Sequence, residues 1–515
     1  MRVGENRING GSACCGCRRE GDLQGVSRRD FMEVVGGAAL VGLSWSALRA
    51  AGAEAAPPPE RKPLVVKPLL AYSTYRRRNQ TSWRNWGGVE TQQQADAEAA
   101  RINRELGELK KRADFPLDFL PLAASRSGNE AANAVQAAKA DAFLLYAAAG
   151  PTPQAIEAAL RLAKPVIVFV RHRSGPLYLW YEIIHPRYLR AHSDRLAKKG
   201  IDYEDVVVDS QEEVLWRLRA LCGLKNTVGS RIVAIGGAGG WAHGEAPKLA
   251  QDRWKLDIHS VPYPELGKLI AAADADKAAT ALARERAERY LKDEGVKLET
   301  ERGFVERCFL LDQVFRGIMA KVGAKAITVN ACMGTIMRVA RTTACLTLST
   351  LNDDGYLAFC ESDFVVIPAG ILMGNITGHP TFLHNPTYPH DGIITLAHCT
   401  SPRKMDGKSL EPVRIVTHYE SDYGAAPKVE MRKGQQITSI IPDFEAKVWH
   451  GLTSEIVEAP FYPICRTQIE ARYQVSDQTL AEAMRGFHWM TVYGDYLREA
   501  GYALKRTSIA WKTLA

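Results

Sequence analysis

The sequence predicts a mixed α/β protein, with two doubly wound, Rossmann-like α/β domains followed by a mostly antiparallel β C-terminal domain. From residue 62 to about residue 345, short apolar runs alternate with helical stretches of ten or more residues, and after residue 345 short β-rich runs dominate. Strands that alternate with helices are typical of parallel sheets joined by helical crossovers. The length of 515 residues is enough for about three domains of ordinary size.

The first predicted domain covers residues 54–226. Its apolar runs have the length of buried parallel strands, and the Ala- and Glu-rich segments between them have helical length. Strands are predicted at 68–72, 118–123, 142–148 and 166–170, and helices at 91–113, 129–140 and 154–163.

The second predicted domain covers residues 227–345, and the C-terminal β-rich domain covers residues 346–515. The second domain has predicted strands at 231–235, 255–261 and 326–330, and predicted helices at 274–292 and 303–322. The C-terminal domain has β-rich runs at 395–398, 413–418, 436–442, 447–451 and 464–471.

A glycine-rich turn follows the predicted strand 231–235. Gly237, Gly239 and Ala242 fit the pattern G-x-G-x-x-A, and Asp257 lies twenty residues after Gly237, as in dinucleotide-binding sites. Trp241 is bulky where a backbone would have to approach a pyrophosphate, and no helical pattern begins at once. We therefore interpret the segment as a tight turn or as a loop that faces a substrate cleft. A nicotinamide-dependent oxidoreductase is the less favoured alternative.

Residues 1–53 have the pattern of a twin-arginine export signal. Arg28 and Arg29 precede a moderately apolar stretch at 32–48, and Ala51-Gly52-Ala53 supplies small residues suited to cleavage. A short anchoring helix is less favoured, because the stretch contains three glycines and is too short to span a bilayer. We expect export to the periplasm or another extracytoplasmic space, by a route that carries folded proteins, often with a cofactor bound.

Charge and cysteine content exclude several classes of protein. Without the seven Arg and five acidic residues of segment 1–53, 59 basic and 53 acidic side chains remain, a formal charge of +6. The basic clusters are isolated, so we expect no nucleic-acid partner. No apolar run outside the N-terminal segment approaches membrane-spanning length, so we expect no stable membrane insertion. The seven cysteines after residue 53 form no C-x-x-C pair, which favours buried free thiols over a disulfide framework.

The densest group of chemically active side chains lies in the C-terminal third. It comprises residues 360–363, 382–388 and 394–400, with a further piece at 486–495. Its carboxylate, amide and imidazole groups suit a divalent ion such as Mn²⁺, Mg²⁺ or Zn²⁺, provided that folding brings them together. By spacing alone, each of these histidines is more often a packed or surface residue than a ligand.

Five motifs in this order resemble the L-fucose isomerase and L-arabinose isomerase superfamily. They are CESD at 360–363, LHNPTY at 383–388, LAHC at 396–399, CRTQIE at 465–470 and HWMTVYGD at 488–495. The resemblance is strongest over residues 325–495, and the preceding α/β layout agrees with the two N-terminal domains of that family. It implies a metal-dependent ketol isomerase that acts on a pentose or hexose, and a homo-oligomer, either a trimer or a hexamer.

The resemblance also implies a metal site for Mn²⁺ or another divalent cation. Glu361 is similar to the family glutamate that ligates Mn²⁺ and takes part in proton transfer, and His488 to the C-terminal histidine ligand of the fucose enzymes. His398 resembles a histidine that the arabinose enzymes use on the metal. Asn385 stands where the fucose enzymes have an aspartate. Its amide oxygen can coordinate a cation but cannot accept a proton.

Interconversion of an aldose and a ketose normally uses two carboxyl groups, one to remove the C2 proton and one to return a proton to the adjacent carbon. A divalent cation stabilises the enediolate that develops. Glu361 and Asp363 are the candidate catalytic residues, with Asp391, His390 or a metal-bound water as alternatives for the second group. Asp363 could equally cap a helix, and Asp391 could be a turn residue.

Two points stay open from the sequence. Because Asn385 replaces an acid, the fold could belong to a periplasmic sugar-binding or accessory protein that does not isomerise its ligand. Trp83 and Trp86 could stack on a sugar ring, or they could be exposed tryptophans at a domain interface.

Overall fold

The computed structural model describes residues 38–50, 57–84, 87–149, 151–178 and 200–514. It contains two parallel sheets flanked by helices, and a C-terminal antiparallel β-barrel. This confirms the mixed α/β class and the predicted order of parallel and antiparallel parts along the chain. Every described helix is either too short or too polar to cross a bilayer.

The described chain begins inside the predicted export signal. Strand β1 (Ala38–Ala39) pairs in parallel with an edge strand of the second sheet, and helix α1 (Trp45–Ala50) follows it. Trp45 and Leu48 are buried, and Nε1 of Trp45 donates a hydrogen bond to Asp276 at 3.0 Å. The twin-arginine pair lies outside the described residues, so export stays a prediction.

The first parallel sheet is built from short apolar strands with helices on both faces. Its strands are β2 (Leu64–Ala71), β3 (Leu117–Phe119), β4 (Ala123–Ser125), β5 (Ala142–Ala147), β6 (Val166–Val170) and β7 (Val206–Val208), and its helices are α2 (Gln92–Arg112), α3 (Gly128–Ala137), α4 (Thr152–Arg161) and α5 (Gln211–Thr227). The strand order is β3-β2-β5-β6-β7, with β4 also beside β2. Strands β5 and β6 are buried along their whole length, as expected of parallel strands covered on both faces.

The second parallel sheet consists of β1 and four further strands, which are β8 (Arg231–Ile235), β9 (Asp257–Val261), β11 (Ala326–Val329) and β12 (Leu357–Cys360). Their order is β1-β9-β8-β11-β12. The helices of this part are α6 (Ala246–Trp254), α7 (Tyr263–Ala275), α8 (Lys277–Leu291), α9 (Arg302–Val322), α10 (Met337–Ala340), α11 (Cys345–Asp353) and α12 (Ile367–Thr377). Strand order reverses between β8 and β11, since β9 lies on the other side of β8. Ligands commonly bind at such a point, beyond the carboxyl ends of the strands.

Two features of this sheet differ from the sequence-based expectations. The helix expected at 274–292 is present as α8, which begins three residues later because the side chain of Asp276 accepts backbone hydrogen bonds from Ala278 and Ala279, and the preceding helix α7 was not expected. The sheet also extends past the boundary expected at residue 345, through α11, β12 and α12. Helix α12 is buried on every side, so its sequence has no polar face that would give a helical period.

The C-terminal part is a closed barrel of six antiparallel strands. The elements of this part are β13 (Phe382–Pro386), β14 (Ile393–His398), β17 (Gln436–Pro442), β18 (Val448–Glu458), β19 (Thr467–Arg472), α13 (Asp477–Ala483), β20 (Trp489–Tyr493), α14 (Leu497–Leu504) and β21 (Ala510–Leu514). The strand order in the barrel is β17-β20-β13-β14-β19-β18, and the pairing of β18 with β17 closes it. Strand β21 pairs in parallel with β18. A separate small sheet joins β10 (Val296–Leu298), β15 (Val413–His418) and β16 (Tyr423–Val429).

The barrel packs directly against the second sheet. Trp254 of α6 and Trp449 of β18 are both buried and stack with ring centroids 5.4 Å apart. Leu383 and Met490 of the barrel wall share one hydrophobic cluster with Phe364. The carboxyl ends of β8, β11 and β12 therefore lie close to the barrel strands that carry the candidate histidines.

Candidate metal centre

Three loops form the carboxyl edge of the second sheet. The glycine-rich loop follows β8, Asn330 follows β11, and Glu361 follows β12 directly. Gly239 forms a parallel bridge with Asp363, and the backbone N–H of Phe364 donates to the carbonyl oxygen of Gly239 at 3.1 Å. The loop after β8 thus lies against the segment that carries Glu361.

Glu361 and Ser362 both have left-handed backbone conformations, with φ of 62° and 48°. For residues other than glycine, this region costs on the order of 1–3 kcal/mol each, and it persists only where the surrounding structure enforces it. Here Ser362 is fully buried, and its backbone N–H donates to Oγ1 of Thr328 at 3.1 Å. Strained residues of this kind cluster at ligand-binding positions.

Glu361, His398 and His488 come together from three separate elements. His398 is the last residue of β14, and His488 directly precedes β20. One oxygen of Glu361 and one ring nitrogen of each histidine all lie within 4.8 Å of one another. The structure therefore assembles three of the four residues that the sequence analysis assigns to the metal.

His488 is held between two carboxylates. Its Nδ1–H donates to Oδ2 of Asp363 at 2.8 Å, and its Nε2 lies 3.2 Å from Oε2 of Glu361. Burial opposes a charged ring, but the hydrogen bond to Asp363 and the charge of Glu361 outweigh it and raise the pKa of His488 to about 9. A carboxylate on the far nitrogen is the usual way in which a protein orients a metal-binding histidine.

His398 is oriented by a hydroxyl group. Its Nδ1 hydrogen-bonds with Oγ1 of Thr400 at 3.1 Å, and its ring centroid lies 5.8 Å from that of His488. Burial lowers the pKa of His398 to about 4, although the charge of Glu361 acts in the opposite direction. His398 is therefore a neutral imidazole at neutral pH, which is the form that binds metal ions.

The buried ring nitrogens provide a test of whether a cation fits here. Nε2 of His398 is buried and forms no hydrogen bond within the described part of the chain. Nε2 of His488 is buried too, and Oε2 of Glu361 lies 3.2 Å from it. Buried polar atoms without partners are uncommon and call for an explanation. A cation between these nitrogens and Glu361 would give Nε2 of His398 a partner and would take the place of the proton between His488 and Glu361, so the residues present fit a divalent ion.

Asn385 lies beside this group in the barrel wall. Strands β13 and β20 are antiparallel, with Leu383 opposite Met490 and His384 opposite Trp489. Continuing this register by one residue sets Asn385 opposite His488 and on the same face of the sheet. On the other side of β13, Asn385 pairs with Ala397 of β14, so the side chains of Asn385 and His398 leave this strand pair on opposite faces. The role of Asn385 as a ligand remains a prediction.

Asp363, Asp391 and His390 occupy different kinds of position. Asp363 is fully buried, and its Oδ1 accepts the backbone N–H groups of Trp241 and Val365 at 3.2 and 3.1 Å. Asp391 and His390 lie in the turn between β13 and β14, where His390 bridges to Ile393. Strand β14 separates this turn from His398 by roughly 17 Å, and both side chains are exposed. The sequence analysis left both residues open as alternatives for the second catalytic group, and their place in the turn does not favour that role.

Sequence reasoning missed an acidic residue in the turn between β15 and β16. The carboxyl group of Glu420 is exposed, yet partial burial and the charge of Glu361 raise its pKa. His418, the last residue of β15, is buried, and burial lowers its pKa to about 4 while the charge of Glu361 opposes the shift. The charge of Glu361 therefore acts on both residues. Only the pairing of β15 with β16 forms this turn, and no motif indicates it.

An aromatic pair borders the other side of the site. Trp241 and Phe487 stack with centroids 4.2 Å apart at 23°, and Phe487 packs edge-on against His488 at 4.8 Å. Trp241 belongs to the glycine-rich loop, which therefore packs beside His488 through Phe487; whether it faces a substrate cleft stays a prediction. Trp86 lies outside the described residues, and Trp83 contacts Arg84.

The arrangement combines a carboxylate and two buried imidazole nitrogens, with an amide on a neighbouring strand. Such a set could bind a divalent cation and present it to a small polar ligand beside the aromatic pair. The family resemblance stays a prediction that rests on the five motifs. No protein-family model matches the chain, and no curated protein matches it at a significant level.

Proposed function

We propose that this chain is a metal-dependent aldose–ketose isomerase that acts on an open-chain pentose or hexose outside the cytoplasm. The observation that supports it most is the convergence of Glu361, His398 and His488 within 4.8 Å, at the carboxyl edge of a parallel sheet. These are residues that the resemblance to the L-fucose and L-arabinose isomerases selects from the sequence. We also propose membership of that superfamily and a trimeric or hexameric assembly on the same grounds.

The proposed ligands of the cation are Glu361, His398, His488 and the amide oxygen of Asn385. Two imidazoles and a carboxylate suit several first-row divalent ions, and we propose Mn²⁺ because the resemblance implies it. When bound, such an ion polarises the carbonyl and adjacent hydroxyl groups of a sugar and so acidifies the C2 proton.

Two carboxyl groups are needed to move the proton. We assign Glu361 as one of them, because only 13% of its side chain is exposed and it is in reach of the proposed metal position. We assign Glu420 as the second, because it lies in the exposed turn before β16 and interacts electrostatically with Glu361. Its pKa is raised by partial burial and by Glu361, which brings a carboxyl group closer to the range in which it can exchange protons near neutral pH.

Asp363 takes a positioning role in this proposal. The hydrogen bonds of its side chain are with the backbone N–H groups of Trp241 and Val365 and with the Nδ1–H of His488, and it is fully buried. It holds the Nδ1–H of His488, so that a cation which displaces the proton on Nε2 meets the lone pair of that nitrogen.

The alternative is a sugar-binding or accessory protein of the same fold that does not isomerise its ligand. Asn385 favours this alternative, because an amide cannot accept the proton that an aspartate could. The stacked pair of Trp241 and Phe487 is compatible with either function, since aromatic rings bind the apolar face of sugars in enzymes and in binding proteins.

The decisive experiment follows proton exchange rather than product alone. The purified full chain, with and without Mn²⁺, is incubated in deuterium oxide with a panel of aldopentoses, ketopentoses, aldohexoses and ketohexoses, and deuterium at C1 and C2 is measured by NMR. Metal-dependent exchange that Glu361→Gln abolishes and Glu455→Gln leaves intact would support the proposal. Binding of a sugar without any exchange would favour the alternative and overturn the isomerase.

A further inference from the structure

Three cysteines of the described chain lie in one cluster beside the candidate metal centre. Cys345 is the first residue of α11, Cys399 directly follows β14, and Cys465 lies shortly before β19. They pack together around Ala426. The thiol of Cys399 occupies the middle of the cluster and hydrogen-bonds with both other thiols.

The pairing of two strands brings the chain segments of Cys399 and Cys465 together. Strands β14 and β19 are antiparallel, with His398 opposite Thr467. Beyond this pair, the backbone N–H of Arg466 donates to Sγ of Cys399 at 3.5 Å. Cys465 is the next residue along, so the two thiols belong to adjoining chain segments that are already held by main-chain hydrogen bonds.

The three thiols differ in their access to solvent. The exposed fraction is 6% for Cys345 and 3% for Cys399, whereas Cys465 is partly exposed. Cys465 is the member of the cluster that solvent can reach, so a reagent from solvent meets Cys465 first.

We propose that Cys465 and Cys399 form a dithiol that closes to a disulfide when it meets a disulfide oxidant, such as oxidised glutathione or the disulfide of a thiol oxidoreductase. The Cys465 thiolate attacks one sulfur of the oxidant's disulfide and forms a mixed disulfide with it, while the other sulfur leaves as a thiolate. Sγ of Cys399 then gives up its proton and attacks Sγ of Cys465, which displaces the first sulfur of the oxidant as a second thiolate. Two protein thiols are oxidised, and one oxidant disulfide is reduced to two thiols.

The position of this pair links its redox state to the candidate metal centre. Cys399 directly follows His398, so a bond to Cys465 fastens the end of β14 to the chain that enters β19. The bond would restrict the backbone that carries the His398 imidazole. This inference goes beyond the proposed function, since neither a cation nor a sugar takes part in it.

The test maps the disulfide directly in the full-length chain. Protein purified under reducing conditions is equilibrated with defined ratios of reduced to oxidised glutathione. Free thiols are then alkylated, and the chain is digested without reduction for mass spectrometry. We expect a peptide pair joined through Cys399 and Cys465, reversed by dithiothreitol, at ratios that leave Cys222 and Cys308 alkylated.

Two variants sharpen the result. Cys465→Ser should leave Cys399 free at every ratio. Cys308→Ser, which removes a buried thiol elsewhere in the described chain, should leave the Cys399–Cys465 bond unchanged. The proposal is overturned if both thiols stay free under strongly oxidising ratios, if Cys465 carries only glutathione, or if Cys399 pairs with Cys345 instead. None of these readouts depends on metal content or activity, so failure here is distinct from failure of the proposed isomerase.

Discussion

Asp363 and His488 form a buried hydrogen-bonded pair, with Oδ2 of the acid 2.8 Å from Nδ1 of the ring. The acid is anchored by two backbone N–H groups on its other oxygen. Its geometry is therefore fixed before any ligand arrives. The opposite nitrogen of the ring, Nε2, lies 3.2 Å from Oε2 of Glu361. This relationship leads to the first prediction.

Asp363→Asn should weaken the binding of a divalent cation by roughly 10- to 100-fold, the usual cost of losing a carboxylate behind a metal-binding histidine. The amide can still accept both backbone hydrogen bonds, so the fold should persist. Titration of metal-free protein with Mn²⁺ by calorimetry measures the change. Asp391→Asn, at the exposed turn of the β13–β14 hairpin, is the control and should bind like the parent. Equal affinity for Asp363→Asn would remove this pair from the metal site.

Asn385→Asp should increase the affinity for Mn²⁺ by roughly tenfold, because an additional charged oxygen ligand strengthens the binding of hard cations. The substitution keeps the size of the side chain. The same titration measures it, with Asn226→Asp as a control distant in the fold. If affinity does not change, the side chain of Asn385 does not reach the cation.

Glu420→Gln should lower the turnover number about 100-fold or more, the usual contribution of a general acid or base. Its metal content, counted by elemental analysis, should stay at the parent value, because Glu420 is not among the proposed ligands. Glu455→Gln on β18 is the matched control on an exposed glutamate. Unaltered turnover in Glu420→Gln would assign the second proton transfer to another group.

Gly223→Ala should destabilise the fold by about 1–3 kcal/mol, the usual cost of overpacking. Gly223 lies where α5 crosses α12, and an added Cβ would come within 2.9 Å of the backbone of Ile376. Gly107→Ala is the contrast: it lies in α2 with open space around it and should stabilise the helix by about 0.5–1 kcal/mol. Urea unfolding of both variants measures the difference. Equal changes in the free energy of unfolding would contradict the close helix crossing.

The stability of the fold should fall as pH rises toward neutrality because of Asp353. Burial raises the pKa of this carboxyl group from 3.8 to about 7, against two backbone hydrogen bonds that favour the charged form. The folded chain therefore holds a proton that the unfolded chain releases at about pH 4. This contribution is complete below pH 4, shrinks between pH 4 and 7, and is lost above pH 7.

Asp353→Asn isolates that contribution. The amide oxygen can accept the backbone N–H groups of Arg403 and Lys404, as Oδ1 of Asp353 does, but the side chain no longer titrates. Between pH 5 and pH 8 the melting temperature of the parent should fall more than that of the variant. If the melting temperatures of the parent and the variant fall equally across this range, Asp353 is charged in the folded chain.

The sequence predicted the β-rich runs at 413–418 and 436–442 at the bounds that the structure has for β15 and β17. Alternating or continuous apolar residues with turn residues on both sides made these strands evident. Helix α12 was not predicted, because all of its residues are buried. The closure of the barrel through β17 and β18 could not be predicted either, since strand pairing between distant segments leaves no local pattern.

For the candidate site, the motifs selected Glu361, His398 and His488, and the structure brings these three together. The motifs did not show that Asp363 lies behind His488, because that depends on the bridge between Gly239 and Asp363. Glu420 could not be found, since its turn carries no motif and only folding brings it toward Glu361. The residues within each motif could thus be predicted, whereas contacts between residues distant in sequence, such as Asp363 and His488, could not.

The candidate ligands belong to two different layers of the fold. Glu361 extends from the second parallel sheet, whereas His398 and His488 belong to the barrel. An ion held by all three would tie these layers together, and its binding free energy would add to the cohesion of the whole molecule. Such an ion can be captured only after the barrel has docked on the sheet, and once captured it opposes their separation.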